Sequence, residues 1–404
     1  MIVDLHAHYP MHVLGDVTPK TAYDEIRKIR GRSGLTERAK ASIVWVASLF
    51  FNDRDVSSGY RISPAKLRAG DIGVALSVLY EPFDEANLGQ PYASPPEPGY
   101  LSKLLTDLEA IEKEVRSHDP AMLRLVHNRA ELDSAIADGA TALVHAVEGG
   151  FSVGDGSASE VDANVATLAK KGVAYVTVAH LLYRKVATNA PALPFMPDSV
   201  YNHFFPQPKD KSLTKRGIAL LQAMVKHRVL IDISHMRPDA AAKTFDVLDE
   251  EDPDRDMPVV ATHAGYRFGK QTYMLDRKTI GKIKERNGVV GLIMAQHQLN
   301  EKALEGKKFT TSWPEAFGVI CKHIDKIADI TDGFEHIALG TDFDGFIKPT
   351  MTGLETMTDL RLLEDALRQR YGPTIAELIT SKNALRVLRQ LWPVPPPASA
   401  PGSS

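Results

Sequence analysis

MIVDLHAH, residues 1–8, is an apolar run of strand length that stops at two histidines, His6 and His8. The same plan recurs along the chain. Short runs rich in Val, Ile and Ala cover Ile2–His6, Gly73–Tyr80, Ala142–Val147, Ala174–Ala179, Val229–Ser234, Pro258–Thr262, Val289–Ala295 and His336–Thr341, eight in all. They are nearly continuous in apolar character, as strands buried on both faces are. Between them, segments such as Leu101–Arg116, Glu160–Lys171, Leu213–His227, Pro238–Leu248 and Trp313–Ile330 carry apolar residues three and four apart, the pattern of one-sided helices. This alternation implies parallel strands with crossover helices. Eight rounds of it predict an α/β fold of the (β/α)8 TIM-barrel type rather than an open sheet. A ninth run, Leu123–Val126, comes close before the third and is expected to stand outside the barrel.

Residues 1–392 read as one domain, with two insertions. The first, residues 21–64, holds a helical run at Glu37–Phe50; the second, residues 184–211, is rich in proline and aromatic residues. Long loops after strands are where such barrels keep their substrate contacts. Residues 393–404, mostly Pro, Ala and Ser, are expected to be disordered.

A hydrophobic fraction of 44% with 25% charged residues is that of a globular protein. The formal net charge of −3 gives no basic surface of the kind nucleic acid or an anionic membrane selects, so the expected partner is a small molecule. Cys321 is the single cysteine, which excludes a thiolate-rich metal site and leaves His and carboxylates as ligands. The start MIVDLHAHYP has neither the basic head nor the apolar stretch of a secretory signal, and no run approaches the ~20 residues of a membrane span. The expected location is the cytoplasm.

The positions of the histidines and acids carry the chemistry. His6 and His8 close the first strand, Glu148 follows the third, His180 the fourth, His235 the fifth, His263 the sixth and Asp342 the eighth. All fall at carboxyl ends, the face that bears the active site in barrel enzymes. On an extended segment, residues two apart share a side, so His6 and His8 are set to grip one metal. Glu148, with two oxygens, can touch two metals at once. A metal pair shares a hydroxide formed at neutral pH.

Any one of these residues alone has a plainer explanation. A strand-end histidine is commonly hydrogen-bonded structure, an aspartate a turn residue, a glutamate half of a surface ion pair. Six strand ends bearing ligand types together is a different matter. His145, inside the third strand, reads as buried structure, and His297, after the seventh, as a loop residue more often solvated than part of the pocket.

These residues sit in a set of motifs: DLHAH (Asp4–His8), LRAGDIGVALSV (Leu67–Val78), VEGG (Val147–Gly150), VTVAH (Val176–His180), DISH (Asp232–His235), THAG (Thr262–Gly265), GTDFDG (Gly340–Gly345) and NALRVL (Asn383–Leu388). In order and spacing the chain resembles the renal, or membrane, dipeptidases and their bacterial relatives within the amidohydrolase-like barrels. The resemblance implies two divalent metal ions, zinc, with His6, His8 and Asp342 on one, His235 and His263 on the other, and Glu148 bridging. It implies that His180 polarises the scissile carbonyl of a dipeptide and holds the oxyanion, and that Asp342 shuttles the proton from the bridging hydroxide to the leaving amine. Members of the family are often dimers, so a homodimer is an expectation.

Three departures qualify the match. The family's His-x-Asp is His6-Ala7-His8 here, which removes one negative charge from the site. Its Gly-Gly-Asn is Ser381-Lys382-Asn383, a change expected to be structural. The segment after His263 is shorter than in typical members, and no arginine falls where one would grip the dipeptide carboxylate; Arg267, beside Tyr266, is the closest replacement, with Lys270 and Arg277 behind it. The shortened segment keeps a second substrate class open, another small amide, an N-acyl amino acid, an ester or a lactone. A barrel that binds without catalysing would have no need of His180 and Asp342 beside a complete ligand set.

Overall fold

In the computed structural model, which describes residues 1–14, 35–49, 59–87, 90–154, 156–193 and 196–392, the sheet closes on itself. Its strands are β1 (Ile2–Ala7), β2 (Ile72–Tyr80), β3 (Leu123–Val126), β4 (Thr141–Glu148), β5 (Tyr175–Thr177), β6 (Leu230–Asp232), β7 (Val259–Ala264), β8 (Val289–Leu292) and β9 (Ile337–Leu339). Neighbours run β2-β1-β9-β8-β7-β6-β5-β4, and pairing of β2 with β4 completes a ring of eight parallel strands. This is the (β/α)8 barrel expected. β3 stands outside the ring: β2 occupies one edge of β4, and on the other edge β3 pairs with Thr141–Val144 while β5 pairs with Val147 and Glu148.

The crossover helices form where the periodicity places them. Ala158–Lys170 starts with a capping box between Ser157 and Glu160 and buries Val161, Val165 and Leu168 against the barrel. Lys215–His227 is capped by the Thr214 hydroxyl and buries Leu220, Leu221 and Met224. The helical run expected at Glu37–Phe50 is the helix Leu35–Ser48. Residues 15–34, which include the start of the first insertion, its residues 50–58, Pro194 and Phe195 of the second, and the tail 393–404 lie outside the described residues. No described helix is long and apolar enough to cross a membrane.

The inside of the barrel is apolar below and polar above. Val3, Leu76, Val78, Val144, Ala146 and Val260 form one buried cluster, which continues into Ala384, Leu385, Leu388 and Leu391 of the last helix, Asn383–Leu391. That helix lies across the amino-terminal end. Arg228, Asp256 and Glu335, each just ahead of a strand, bond to it: Arg228 donates to Leu391 O and Gln390 O, Gln390 to Asp256 O, and Arg386 to Glu335 O. Asn383 donates to Phe334 O and Ile337 O, which anchors the helix at the start of β9. One end is sealed, and the chemistry is left to the other.

A bulge in β1 sets the site. Val3 is opposite Val74 and Ala7 is opposite Ser77, four residues against three, so the register slips between Asp4 and Ala7. In a regular strand Val3 and His6 would face opposite sides. With one extra residue both face the barrel interior, the use to which bulges beside active sites are put.

Candidate metal centre

Glu148, the last residue of β4, lies at the centre of the open end. Its Oε1 is 3.4 Å from His6 Nε2, 3.4 Å from His263 Nε2 and 3.7 Å from His235 Nε2; its Oε2 is 3.5 Å from His8 Nε2 and 3.3 Å from His180 Nε2. The histidines fall into two groups. His6 and His8 meet at 3.3 Å between Nε2 atoms, with Asp342 Oδ1 3.0 Å from His8 and 3.8 Å from His6. On the other side His235 and His263 meet at 2.8 Å. All six expected ligands are therefore brought together, and His180 joins them from the loop after β5.

The backbone is bent to do this. His235 (φ 64°) and Asp342 (φ 59°) adopt the left-handed conformation, uncommon for residues with a side chain and typical of functional sites. Asp342 N–H donates to His6 O, which ties the loop after β9 to the end of β1. Gly345 is required beside it, since a Cβ there would stand 2.1 Å from Asp342 Oδ1.

Buried groups behind the rings fix which nitrogen faces inward. Thr262 Oγ1 donates to Asp232 Oδ2 at 2.6 Å, so it can only accept from His6 Nδ1 and His263 Nδ1, each at 3.0 Å. The Tyr175 hydroxyl donates to Leu5 O and likewise accepts from His6 Nδ1 at 2.8 Å. Both rings thus carry their proton on Nδ1 and present the Nε2 lone pair to Glu148, the arrangement in which imidazole binds a metal. Asp232 also takes Thr177 Oγ1, Ser234 Oγ and the amides of Ser234 and Thr262. Asp4 serves β1 in the same way, accepting from His6 N and from Thr341 N and Oγ1. Glu85 Oε2 is 2.9 Å from His180 Nδ1 and accepts the Tyr80 hydroxyl, while Oε1 takes Leu182 N–H. The Tyr273 hydroxyl donates to His263 O at 2.6 Å, with its ring 4.9 Å from that of His235.

The electrostatics call for cations. Burial holds the imidazoles of His6, His235 and His263 well below their ordinary pKa, so they are neutral donors of lone pairs. Burial, reinforced by the carboxylates of Asp342, Asp232 and Glu85, pushes the Glu148 carboxyl well up. Its Oε1 has no hydrogen-bond partner although it is buried among three ring nitrogens. The ring nitrogens crowd one another at 2.8 and 3.3 Å, and Nδ1 of His8 and of His235 is buried without a hydrogen-bond partner. Divalent cations satisfy such a cluster, and the donor set of nitrogen and oxygen suits zinc. His6, His8 and Glu148 form one group with ligand spacing, Glu148, His235 and His263 another, and His6, Asp232 and His263 a third that the Thr262 bridge already engages.

Two expected substrate contacts have partners within the protein. The Arg267 guanidinium donates from Nε to Met274 O at 2.8 Å and from Nη2 to Thr272 O at 3.2 Å, with Asp276 Oδ2 3.7 Å from Nη1, so it staples its own loop. The Tyr266 ring packs on Phe268 under Lys326, and its amide donates to His323 Nδ1. The loop they brace delivers Tyr273 to the centre instead. The sequence reading gave no role to Asp4, Asp232, Thr262, Glu85, Tyr80, Tyr175 or Tyr273. For Asp4 and Asp232 a signal existed, an aspartate inside an apolar run shortly before a histidine; for the others it did not.

A closed parallel barrel with histidines and carboxylates converging at its open end defines the chain as a metal-dependent hydrolase. It belongs to the membrane dipeptidase family, peptidase family M19, whose model matches residues 2–395. Over 300 residues it is 26% identical to an uncharacterised protein in the pqqA 5′ region of Klebsiella pneumoniae, spanning 73% of this chain and 98% of that one. Over 381 residues it is 21% identical to the dipeptidase aclJ of Aspergillus oryzae, spanning 90% and 79%. Its fold is that of a Rhodobacter sphaeroides metallopeptidase liganded with a phosphinate mimic of the dipeptide L-Ala-D-Ala, with a TM-score of 0.67 at 18% identity over 97% of this chain and 99% of that one. The probable dipeptidase PvdM of Pseudomonas aeruginosa gives 0.63 at 18% identity over 84% and 90%.

Proposed function

We propose that the chain hydrolyses the amide bond of dipeptides with two zinc ions, one held by His6, His8 and Asp342, the other by His235 and His263, with Glu148 between them. The observation that carries this reading is the position of Glu148, one oxygen or the other within 3.7 Å of all four ligand histidines. When bound, the metals supply a hydroxide at neutral pH and a Lewis acid for the carbonyl. The chain does the rest. His180 Nε2 faces the centre beside Glu148 and donates to the oxygen that gains charge as the carbonyl is attacked. That requires a doubly protonated ring, and Glu85 at Nδ1 is the carboxylate partner which that form needs. Asp342 Oδ1, at the edge of the first group, takes the proton released by the attacking oxygen and hands it to the leaving amine. Treatment with a strong chelator, followed by return of zinc, tests this reading: dipeptide cleavage should vanish and then come back, and cleavage undiminished without metal would refute it.

A second reading keeps the metal chemistry and changes the substrate to an N-acyl amino acid, an ester or a lactone. It rests on the Arg267 guanidinium being engaged by Met274 O and Thr272 O, which leaves that side chain committed to the protein rather than to a substrate carboxylate.

A further inference from the structure

His235 is held differently from its partner in the second group. The His263 ring is fixed at Nδ1 by Thr262 Oγ1, 3.0 Å away, whereas His235 Nδ1 is buried without a hydrogen-bond partner among the described residues. The outer torsion of a histidine is broad, so a ring with no bond at its far nitrogen turns unless something packs against it. Three rings do: His180 at 4.4 Å, His263 at 4.9 Å and Tyr273 at 4.9 Å, the last inclined at 75°. His180 and His263 face Glu148 themselves, and Tyr273 has no such duty. Its hydroxyl, a donor because its partner is a carbonyl, bonds His263 O at 2.6 Å. One side chain therefore touches both histidines of the second group, one through the ring and the other through the backbone.

The loop after β7 holds Tyr273 still. Its neighbours in sequence are both tied, since Thr272 O and Met274 O accept from the Arg267 guanidinium. Just ahead, the amides of Lys270 and Gln271 donate to the two oxygens of Glu301, each at 2.9 Å, and Gln271 Nε2 donates to His297 O. Gly269 permits this approach, because a Cβ there would stand 2.2 Å from Glu301 Cδ. Just after Tyr273, Leu275 N–H returns to Gly265 O. Such bracing is what a group that must orient others requires.

We propose that Tyr273 is the positioning residue of the second metal site: it sets the plane of the His235 ring and the backbone of His263, so that both Nε2 atoms are aimed in advance. The inference rests on the proposed function in one respect, that His235 and His263 hold an ion of their own beside Glu148. A group that orients ligands in this way raises affinity by removing the ordering that binding would otherwise impose. In the first group His6 is oriented by Thr262 and Tyr175 instead, so the effect of Tyr273 falls on one ion of the two.

The experiment titrates a chromophoric chelator against zinc-loaded wild type, Tyr273→Phe and Tyr273→Leu, with circular dichroism checking that each is folded. Wild type should release its ions in two steps. One ion should be held about tenfold more weakly in Tyr273→Phe, which loses only the hydroxyl, and about a hundredfold in Tyr273→Leu, which loses the ring as well, the range spanned by ligand-orienting groups. The other ion should stay within about twofold of wild type, since no orienting contact to its ligands is removed. In a His235→Ala background, where the second site is already lost, Tyr273→Phe should change the remaining ion no further. Dipeptide turnover by Tyr273→Phe should be low at limiting zinc and return close to the wild-type rate in excess zinc, a rescue that a merely structural loss would not show. Unchanged affinity for both ions in Tyr273→Phe, or weakening of both ions alike, overturns the inference. Should Tyr273→Leu not fold, Tyr273→Phe decides alone. A wild type that holds a single ion overturns the two-metal reading and this inference with it, whereas two ions in wild type with an unaltered Tyr273→Phe overturn the inference only. The affinities need no substrate, so they remain decisive even for a chain that cleaves no dipeptide.

Discussion

Glu85 Oε2 stands 2.9 Å from His180 Nδ1, so the ring that confronts Glu148 is aimed by a carboxylate from a different loop, 95 residues earlier in the chain. Glu85→Gln keeps the shape and removes the charge. It should slow dipeptide turnover by about a hundredfold while metal content stays as in wild type, since one oriented oxyanion donor contributes on the order of 10²–10³. His180→Ala should do the same with its metals retained. Metal loss in His180→Ala would make that ring a ligand and take the proposed role from it.

Thr262 accepts from His6 and His263 with the same oxygen that donates to Asp232. Thr262→Val leaves two Nδ1–H groups and a buried carboxylate without it, and frees the rings to change tautomer. Zinc affinity should fall about 10- to 100-fold, the usual cost of losing a group that orients ligands. Competition with a chromophoric chelator measures this, and unchanged affinity would show that ligand orientation comes from elsewhere.

The six proposed ligands were legible because each closes an apolar run, and the barrel makes run ends converge whatever the order of the chain. The residues that orient them were not. Thr262 meets His6 across 256 residues of sequence, and Glu85 meets His180 across 95; such pairs exist only after the sheet closes. The β1 bulge was invisible for the same reason, since the register with β2 is a property of the pair. The NALRVL segment was legible only as a motif; its place under the barrel depends on the Arg228 guanidinium ahead of β6 and on backbone carbonyls ahead of β7 and β9. Arg267 was chosen by proximity to His263, and its loop used the guanidinium for itself.

Arg267→Ala separates its two roles. A residue that staples the loop carrying Tyr273 should, when lost, lower kcat/KM for a dipeptide and for its amidated analogue to the same extent. A partner of the substrate carboxylate would instead cost the dipeptide alone, by roughly 30-fold or more. The structure predicts equal loss, and a selective loss on the free carboxylate would restore Arg267 to the substrate.

His323 gives the fold a pH dependence of known sign. It is buried and neutral, donating from Nε2 to Leu299 O and accepting Tyr266 N–H at Nδ1, and burial lowers its pKa to about 4 against the opposing pull of that carbonyl. The unfolded chain, with a pKa near 6.5, binds the proton that the folded chain refuses, so stability is complete above that value and falls as pH drops toward 4. The slope is about 1.4 kcal/mol per pH unit for this ring. Urea unfolding at fixed zinc should show His323→Gln losing less stability than wild type between neutral and mildly acid pH, by about that slope; parallel curves would contradict it.

The central claim is that Glu148 organises two metals, and the metal-to-protein ratio tests it most directly. Wild-type protein loaded with zinc and freed of excess should contain close to two ions per chain by elemental analysis, and Glu148→Ala, handled identically and still folded, should hold at most one, loosely. One ion or none in a wild-type preparation that cleaves dipeptides at full rate, or two ions retained by Glu148→Ala, would contradict the account.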